Sequence, residues 1–193
     1  MKNNNDATME YGRTRSKRLV RPIVAIVGRP NVGKSTLFNR LCGKRKAIVD
    51  NRPGVTRDCI TVQVEWNEHH FTLIDTGGFV RYSKDAIESA IREQTEQAIA
   101  EADVVILVFD AKIGVSAFDI DVAEVLRRSS VQSLVVVNKL DHPGDEDALL
   151  ADFYSLGLGT PIPVSAASGR LSGNLLDVLI AEFNPFDNSC DED

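Results

Sequence analysis

Hydrophobic and polar positions along the 193-residue chain follow two periods. Short runs rich in Val and Ile predict buried strands, and segments with apolar residues three or four apart predict amphipathic helices. The predicted strands are residues 22–27, 60–66, 71–74, 104–109, 134–137 and 161–164. The predicted helices are a segment from about residue 33 to 41 and residues 85–100, 117–128, 146–154 and 175–183.

The order of these elements predicts an α/β fold. Strands and helices alternate, which is typical of a mostly parallel sheet, here of six strands, with helices on both faces. One antiparallel hairpin interrupts this pattern, and residues 67–70 are expected to form its turn. His69 and His70 would then face solvent.

The two ends of the chain differ from its middle. Residues 1–20 are polar and then basic, which fits either an arm for RNA or the ribosome or a solvated flexible leader. Residues 21–184 have the size of one domain. Residues 185–193 end in Asp-Glu-Asp and are interpreted as an acidic tail or the start of an interdomain linker.

Composition narrows the class of protein. Apolar residues make up 43% of the chain, enough for a core, and the formal net charge of −6 argues weakly against a broad nucleic-acid interface. No run approaches the roughly 18 apolar residues of a membrane span, and no secretory signal is expected. Three distant cysteines, Cys42, Cys59 and Cys190, indicate a reducing compartment rather than a disulfide framework.

One glycine-rich segment has the spacing of a phosphate-binding loop. It follows a predicted strand, opens a predicted helix, and matches G-x-x-x-x-G-K-[ST] at every fixed position. Backbone N–H groups of such a loop surround phosphate oxygens, its lysine contacts the β- and γ-phosphates, and its serine hydroxyl reaches Mg²⁺. The residues are Gly28, Arg29, Pro30, Asn31, Val32, Gly33, Lys34 and Ser35, with Thr36 next.

A second motif follows a later strand and indicates which base is bound. Asn138, Lys139 and Asp141 lie where that strand ends, at the edge where open α/β sheets bind ligands. A carboxylate at Asp141 can accept from the adjacent N1–H and N2–H donors of guanine, which adenine lacks. An adenosine-specific enzyme is therefore the weaker alternative.

A third motif also ends a strand. Asp75 can hold Mg²⁺, and Thr76, Gly77 and Gly78 follow it, with the Gly77 N–H placed to meet a γ-phosphate. Phe79 stands where Ras-like enzymes place a water-positioning Gln. An apolar side chain leaves open which group positions the attacking water.

Taken in order, these motifs resemble the first G domain of the Der (EngA) family of ribosome-assembly GTPases. The similarity covers about residues 21–183, and residues 53–58 (Pro-Gly-Val-Thr-Arg-Asp) and 73–78 (Leu-Ile-Asp-Thr-Gly-Gly) match the Der pattern most closely. The MnmE (TrmE) and Era families have the same motifs in the same order, but their motif sequences resemble this chain less closely. Der proteins carry further domains, so we expect this chain to be an excised first domain.

The resemblance implies roles for residues of this chain. It implies GTP or GDP as ligand, with Mg²⁺ on Ser35, Asp75 and the Thr56 hydroxyl, and K⁺ on Asn31. It also implies that Lys139 lies along the guanine face. The catalytic set would be Lys34, Thr56, Gly77 and Asn31, and Ser165 and Ala166 would complete the guanine site, with the Ala166 N–H meeting O6.

The resemblance further implies slow GTP hydrolysis in assembly of the large ribosomal subunit. The expected setting is the bacterial cytoplasm, with the large subunit or its rRNA as partner, no membrane, and a monomeric isolated domain. Two alternatives stay open: a guanine-nucleotide switch with negligible hydrolysis, and the G domain of a tRNA-modification GTPase.

Overall fold

A computed structural model describes residues 21–43, 60–76, 84–142, 144 and 146–183. Within these ranges one six-stranded sheet forms the centre of the fold. Its strands are β1 Ile23–Val27, β2 Ile60–Trp66, β3 His69–Asp75, β4 Val104–Asp110, β5 Gln132–Asn138 and β6 Ile162–Pro163.

The spatial order of the strands is β2-β3-β1-β4-β5-β6. Only β2 and β3 pair antiparallel; the other neighbours are parallel. The predicted α/β class, with six mostly parallel strands and one antiparallel hairpin, is confirmed.

Helices cover both faces of the sheet, as predicted. One core cluster joins Leu37 and Leu41 to Leu175 and Leu179, and a second lies on the opposite face with Ala98, Val122 and Phe153. The helices are α1 Lys34–Cys42, α2 Lys84–Glu101, α3 Ala117–Arg128, α4 Glu146–Leu150 and α5 Ser172–Ala181, and a 3₁₀-helix spans Ala151–Leu156.

The predicted turn at residues 67–70 is too long. Asn67 and Glu68 alone make the turn, both with positive φ, and the strand ladder already pairs Trp66 with His69. Two positive-φ residues match the type I′ geometry that suits the twist of a hairpin. His69 and His70 are therefore strand residues; His70 is exposed, as expected, and His69 is half-buried.

The segment predicted as one helix, 146–154, forms two elements: the short helix α4 and the 3₁₀-helix that follows it. Leu150, Phe153 and Leu156 are all buried and lie three apart, a spacing that suits the three residues per turn of the 3₁₀ segment. The strand predicted at 161–164 pairs over two residues only, because proline offers no N–H to a ladder. The last helix begins at Ser172, three residues before the predicted start.

Candidate nucleotide-binding site

The predicted site residues converge at one edge of the sheet. The carboxyl ends of the parallel strands β1, β3, β4 and β5 meet there, and each continues into a loop that carries polar residues. This edge is where open α/β sheets bind ligands. Thr56, Gly77, Gly78 and Phe79 lie outside the described residues.

Two positions of the phosphate loop must be glycine because the loop backbone lies very close to β4 and β5. A Cβ at Gly28, whose φ is 144°, would lie 2.4 Å from the carbonyl oxygen of Val108 in β4. A Cβ at Gly33, with φ 99°, would lie 2.3 Å from Nδ2 of Asn138. The loop is thus pressed against β4 and the end of β5, and only glycine fits at these points.

Lys34 lies across the phosphate loop. Its Nζ donates to the carbonyl oxygens of Gly28 at 2.8 Å and Arg29 at 2.9 Å. Burial lowers the pKa of Lys34, and the nearby charge of Asp75 offsets part of that effect. A half-buried cation at the start of α1, beside glycines, is suited to a phosphate group.

Ser35 and Asp75, the two described residues predicted to hold Mg²⁺, are hydrogen-bonded to each other. The Ser35 Oγ donates to Oδ2 of the buried Asp75 at 2.9 Å, which joins the start of α1 to the end of β3. Hydroxyl and carboxylate oxygens are the donors that Mg²⁺ prefers. These two residues fit a magnesium ion by donor chemistry.

Asn138 joins the phosphate loop to the segment after β6. Its Nδ2 donates to the carbonyl oxygen of Val32 at 2.9 Å, and its Oδ1 accepts from the backbone N–H of Ala166 at 2.9 Å. The side chain is buried, so both contacts are shielded from water. The N–H expected to meet guanine O6 is therefore bonded to Asn138 in this structure.

Lys139 spans the space between β5 and the phosphate loop. Its Nζ donates to the carbonyl oxygen of Asn31 at 2.7 Å and pairs with the Asp110 carboxylate at 2.7 Å. The ammonium end of the side chain is thereby fixed by two partners, which leaves its methylene groups in place to cover a flat base.

The sequence analysis did not identify Asp110. Burial acts to raise the pKa of this carboxyl, but hydrogen bonds from Lys139 and the Lys112 N–H, and the charges of both lysines, bring it below its ordinary value. The sequence does contain a feature that could have identified it: Asp110 is an acidic residue that directly ends the apolar run of β4.

Asp141 is oriented by Ser165. The buried Ser165 hydroxyl donates to Oδ1 of Asp141 at 2.7 Å, and the Lys112 ammonium lies 3.9 Å from Oδ2. The Asp141 side chain keeps 44% of its surface exposed. A held but accessible carboxylate can accept hydrogen bonds from a ligand.

Several predicted site residues turn their side chains away from this edge. Arg29 Nη2 pairs with Asp119 at 3.0 Å and donates to the Gly114 carbonyl at 3.1 Å. The Thr76 hydroxyl donates to the Ile26 carbonyl at 2.7 Å, and the Val32 side chain lies in the core. These three can serve a ligand through their backbone only. Pro30 has no N–H to offer.

The described residues contain no group of three or more His, Cys, Asp or Glu side chains placed to hold a metal ion. Of the described helices, none is both long and apolar enough to cross a membrane. The acidic residues of the site are instead individually bonded to serine or lysine.

The sheet order, the phosphate loop and the polar strand ends define a nucleotide-binding domain of the P-loop G-domain class. Residues 23–139 match the model of the family described as 50S ribosome-binding GTPase. The chain belongs to this family.

Curated relatives carry the name GTPase Der. One from Alkaliphilus oremlandii is 48% identical over 176 residues, covering 91% of this chain and 40% of the relative. One from Pelotomaculum thermopropionicum is 52% identical over 165 residues, covering 86% of this chain and 37% of the relative. The chain thus spans well under half the length of these relatives.

Solved structures of Era share the fold. Era with MgGDPNP and nucleotides 1506–1542 of 16S ribosomal RNA has a TM-score of 0.63 and 30% identity, covering 83% of this chain and 56% of Era. A variant of Aquifex aeolicus Era bound to GDP·AlF₄⁻ has a TM-score of 0.63 and 28% identity, covering 84% and 57%. These similarities agree with the G-domain class.

Proposed function

We propose that this domain binds GTP and GDP with Mg²⁺ and hydrolyses GTP. The observation that carries the proposal is Asn138, which ties the phosphate loop at Val32 to the Ser165–Ala166 segment beside Asp141. The phosphate loop and a carboxylate suited to guanine are thereby held in a fixed position relative to each other.

Recognition of the base rests on Asp141 in this proposal. Its carboxylate accepts the N1–H and N2–H donors of guanine, and the Lys139 stem lies along the ring. The two contacts of the Lys139 ammonium, on Asn31 and Asp110, support that position. The Ala166 N–H serves O6 by sharing or exchanging its bond to Asn138.

The phosphates lie on the loop and on Lys34. Ser35 and Asp75, with Thr56, would hold Mg²⁺, which when bound would supply positive charge beside the phosphates. Lys34 exchanges its loop carbonyls for phosphate oxygens, and the Gly77 N–H meets the γ-phosphate as water attacks. Next to phosphate, the lowered pKa of Lys34 would return toward its ordinary value.

Substitution of Asp141 tests base specificity. We expect Asp141→Asn to weaken GDP binding at least about tenfold and to favour XDP, because hydrogen bonds to a charged group contribute about 1.5–3 kcal/mol each. The measurement is the Kd of GDP and XDP by titration calorimetry. Asp152→Asn, the same change at an exposed residue of the 3₁₀-helix, is the control. An unchanged ratio of the two Kd values would exclude Asp141 as the base-reading residue.

Single-turnover kinetics test hydrolysis itself. With enzyme in excess over GTP, the proposal expects phosphate release well above the rate in buffer, and loss of that release in Lys34→Ala. GTP that stays bound and intact through the same period would favour the alternative of a nucleotide switch with negligible hydrolysis.

We propose that K⁺ assists hydrolysis from Asn31. This residue is exposed on the phosphate loop with φ 66°, and Lys139 holds its carbonyl. A cation there would supply part of the charge that an arginine finger provides, worth about 10³–10⁵ in rate. The family resemblance motivates the choice of K⁺.

Matched KCl and NaCl assays test this role. GTP turnover should be faster in KCl for the unsubstituted domain and lose that advantage in Asn31→Gly, which removes the side chain without straining a positive φ. Equal turnover in both salts would refute a potassium role. An advantage that persists in Asn31→Gly would place the ion elsewhere.

For the whole protein we propose a role in assembly of the large ribosomal subunit in the bacterial cytoplasm. The relatives' shared name, the family description and the Era structure with ribosomal RNA support this. We propose that the isolated domain is a monomer. Co-sedimentation of the full-length protein with large subunits should depend on GTP, and sedimentation of the domain alone should give 21.2 kDa.

A further inference from the structure

Arg40 lies in the last turn of α1 and reaches the segment that follows β6. Its Nε donates to the carbonyl oxygen of Ala166 at 2.9 Å, and its Nη2 donates to that of Ala167 at 2.6 Å. The two partners lie 126 and 127 residues further along the chain. A planar guanidinium presents its N–H donors in a fixed fork, so it can hold two adjacent carbonyls in one set geometry.

The segment that Arg40 contacts is a tight turn. The Ser165 N–H donates to the Arg170 carbonyl at 3.0 Å, and the Gly169 N–H donates to the Ser165 carbonyl at 2.8 Å. Gly169 has φ 86°, and a Cβ there would lie 3.1 Å from Nη1 of Arg40. The guanidinium therefore packs against a backbone surface that a larger residue at position 169 would fill.

Both backbone polar groups of Ala166, its N–H and its C=O, are thus hydrogen-bonded to side chains. Asn138 accepts its N–H, and Arg40 donates to its C=O. Ser165, the preceding residue, orients Asp141 through its hydroxyl. Any rotation of the Ala166 peptides would move the N–H and disturb the neighbouring Ser165–Asp141 contact.

We infer that Arg40 is a positioning residue for guanine recognition. It touches no part of the base; it fixes the turn 165–170 so that the Ala166 N–H and the Asp141 carboxylate keep the spacing that guanine requires. Because α1 also begins with Lys34 and Ser35, Arg40 ties the base end of the site to the helix that contacts the phosphates. This inference rests on the proposed binding of guanine nucleotides.

The test compares Arg40→Met, which removes the donors, with Arg40→Lys, which retains the charge. Arg40→Met should raise the GDP dissociation rate on the order of tenfold to a hundredfold and lower the preference for GDP over IDP, because IDP lacks the 2-amino group that Asp141 would accept. Arg40→Lys should show smaller changes than Arg40→Met in both the GDP dissociation rate and the preference for GDP over IDP. Arg128→Met, a change at an exposed arginine paired with Glu124 on α3, is the matched control.

The outcomes separate two failures. Unsubstituted protein that does not prefer GDP to IDP and XDP would refute the proposed function, before any variant is considered. If the unsubstituted protein has that preference and Arg40→Met keeps the same ratio of Kd values for GDP and IDP, only the role of Arg40 is overturned. A purely structural role would lower the Tm of both Arg40 variants and leave the ratio unchanged. If Arg40→Met does not fold, Arg40→Lys and its ratio decide the matter.

Discussion

At the scale of single residues, the local environment of each ionisable group sets its chemistry. Asp110 is a buried carboxyl that Lys139 and the Lys112 backbone N–H both contact, and its pKa lies below the ordinary value of 3.8. Cys42, half-buried in α1, has its pKa raised from 9.0 to about 11 by burial and then by the charge of Asp75. The first group is thereby held charged and the second neutral.

Asp110 predicts a pH-dependent contribution to stability. A carboxyl whose pKa falls on folding stabilises the protein above its unfolded pKa, and that contribution is lost as the pH drops through the folded value. Asp110→Asn should lower the free energy of unfolding by about 1.5–3 kcal/mol at pH 7, and this difference should shrink below pH 3.8. Urea unfolding of both proteins at several pH values measures it. A difference that grows on acidification would contradict the assigned sign.

Cys42 predicts slow alkylation. With a pKa near 11 rather than 9.0, the thiolate fraction at pH 8 is about a hundredfold lower than for an ordinary thiol. In a Cys59→Ser, Cys190→Ser background, iodoacetamide should label Cys42 more slowly than a cysteine peptide, with a rate that rises up to about pH 11. A rate that levels off near pH 9 would show an unperturbed thiol.

At the scale of elements, the start of α3 is linked to the phosphate loop. Asp119 Oδ2 accepts from the Ser116 N–H at 2.9 Å, and the Ser116 Oγ accepts from the Asp119 N–H at 3.3 Å, which closes the capping box of α3. The same Oδ2 pairs with Arg29 at 3.0 Å. One buried carboxylate thus satisfies both a helix N-terminus and a cation from the phosphate loop.

Asp119→Ala should therefore cost more than loss of a helix cap. A cap contributes about 1 kcal/mol, and removing one partner of a buried ion pair costs about 3–5 kcal/mol, so we expect a total of at least 3 kcal/mol in urea unfolding. Asp121→Ala, on the same helix but 59% exposed beside Arg92, is the control and should change stability by less than about 1 kcal/mol. Similar losses in the two variants would contradict the link to Arg29.

At the scale of the whole molecule, the site belongs to no single element. The ends of β1, β3, β4 and β5, the start of α1 and the turn 165–170 all contribute contacts. Asp177 of α5 also accepts from Trp66 Nε1 at 2.7 Å and so attaches the antiparallel hairpin to the last helix. A ligand at this edge contacts many parts of the fold at once.

Nucleotide binding should therefore stabilise the whole domain. A ligand at one hundred times its Kd adds about 2.7 kcal/mol to the free energy of unfolding, which for a domain of this size raises the Tm by about 5–10 °C. GDP with Mg²⁺ should produce this shift in a thermal melt, and ADP at the same concentration should not. An equal shift with ADP would argue against guanine specificity.

The sequence by itself determined what depends on neighbouring positions. The periodicities of β2, β4 and α3 specify those elements to within a residue, and the spacing from Gly28 to Ser35 specifies the phosphate loop. The class of the sheet, mostly parallel with one antiparallel hairpin, follows from the alternation of strands and helices, because parallel strands require crossover connections. The spatial order of the strands does not follow from it. Asn138 and Asp141 could be assigned to the site because they lie at and just beyond the carboxyl end of a buried strand.

Only the tertiary structure decided which distant groups become partners. Lys139 meets the Asn31 carbonyl across 108 residues, Arg40 meets Ala166 across 126, and Asp119 rather than a phosphate is the partner of the Arg29 side chain. Local spacing carries no information about such pairs, since a charged side chain takes whichever opposite charge or carbonyl the packing of helices on the sheet brings within reach.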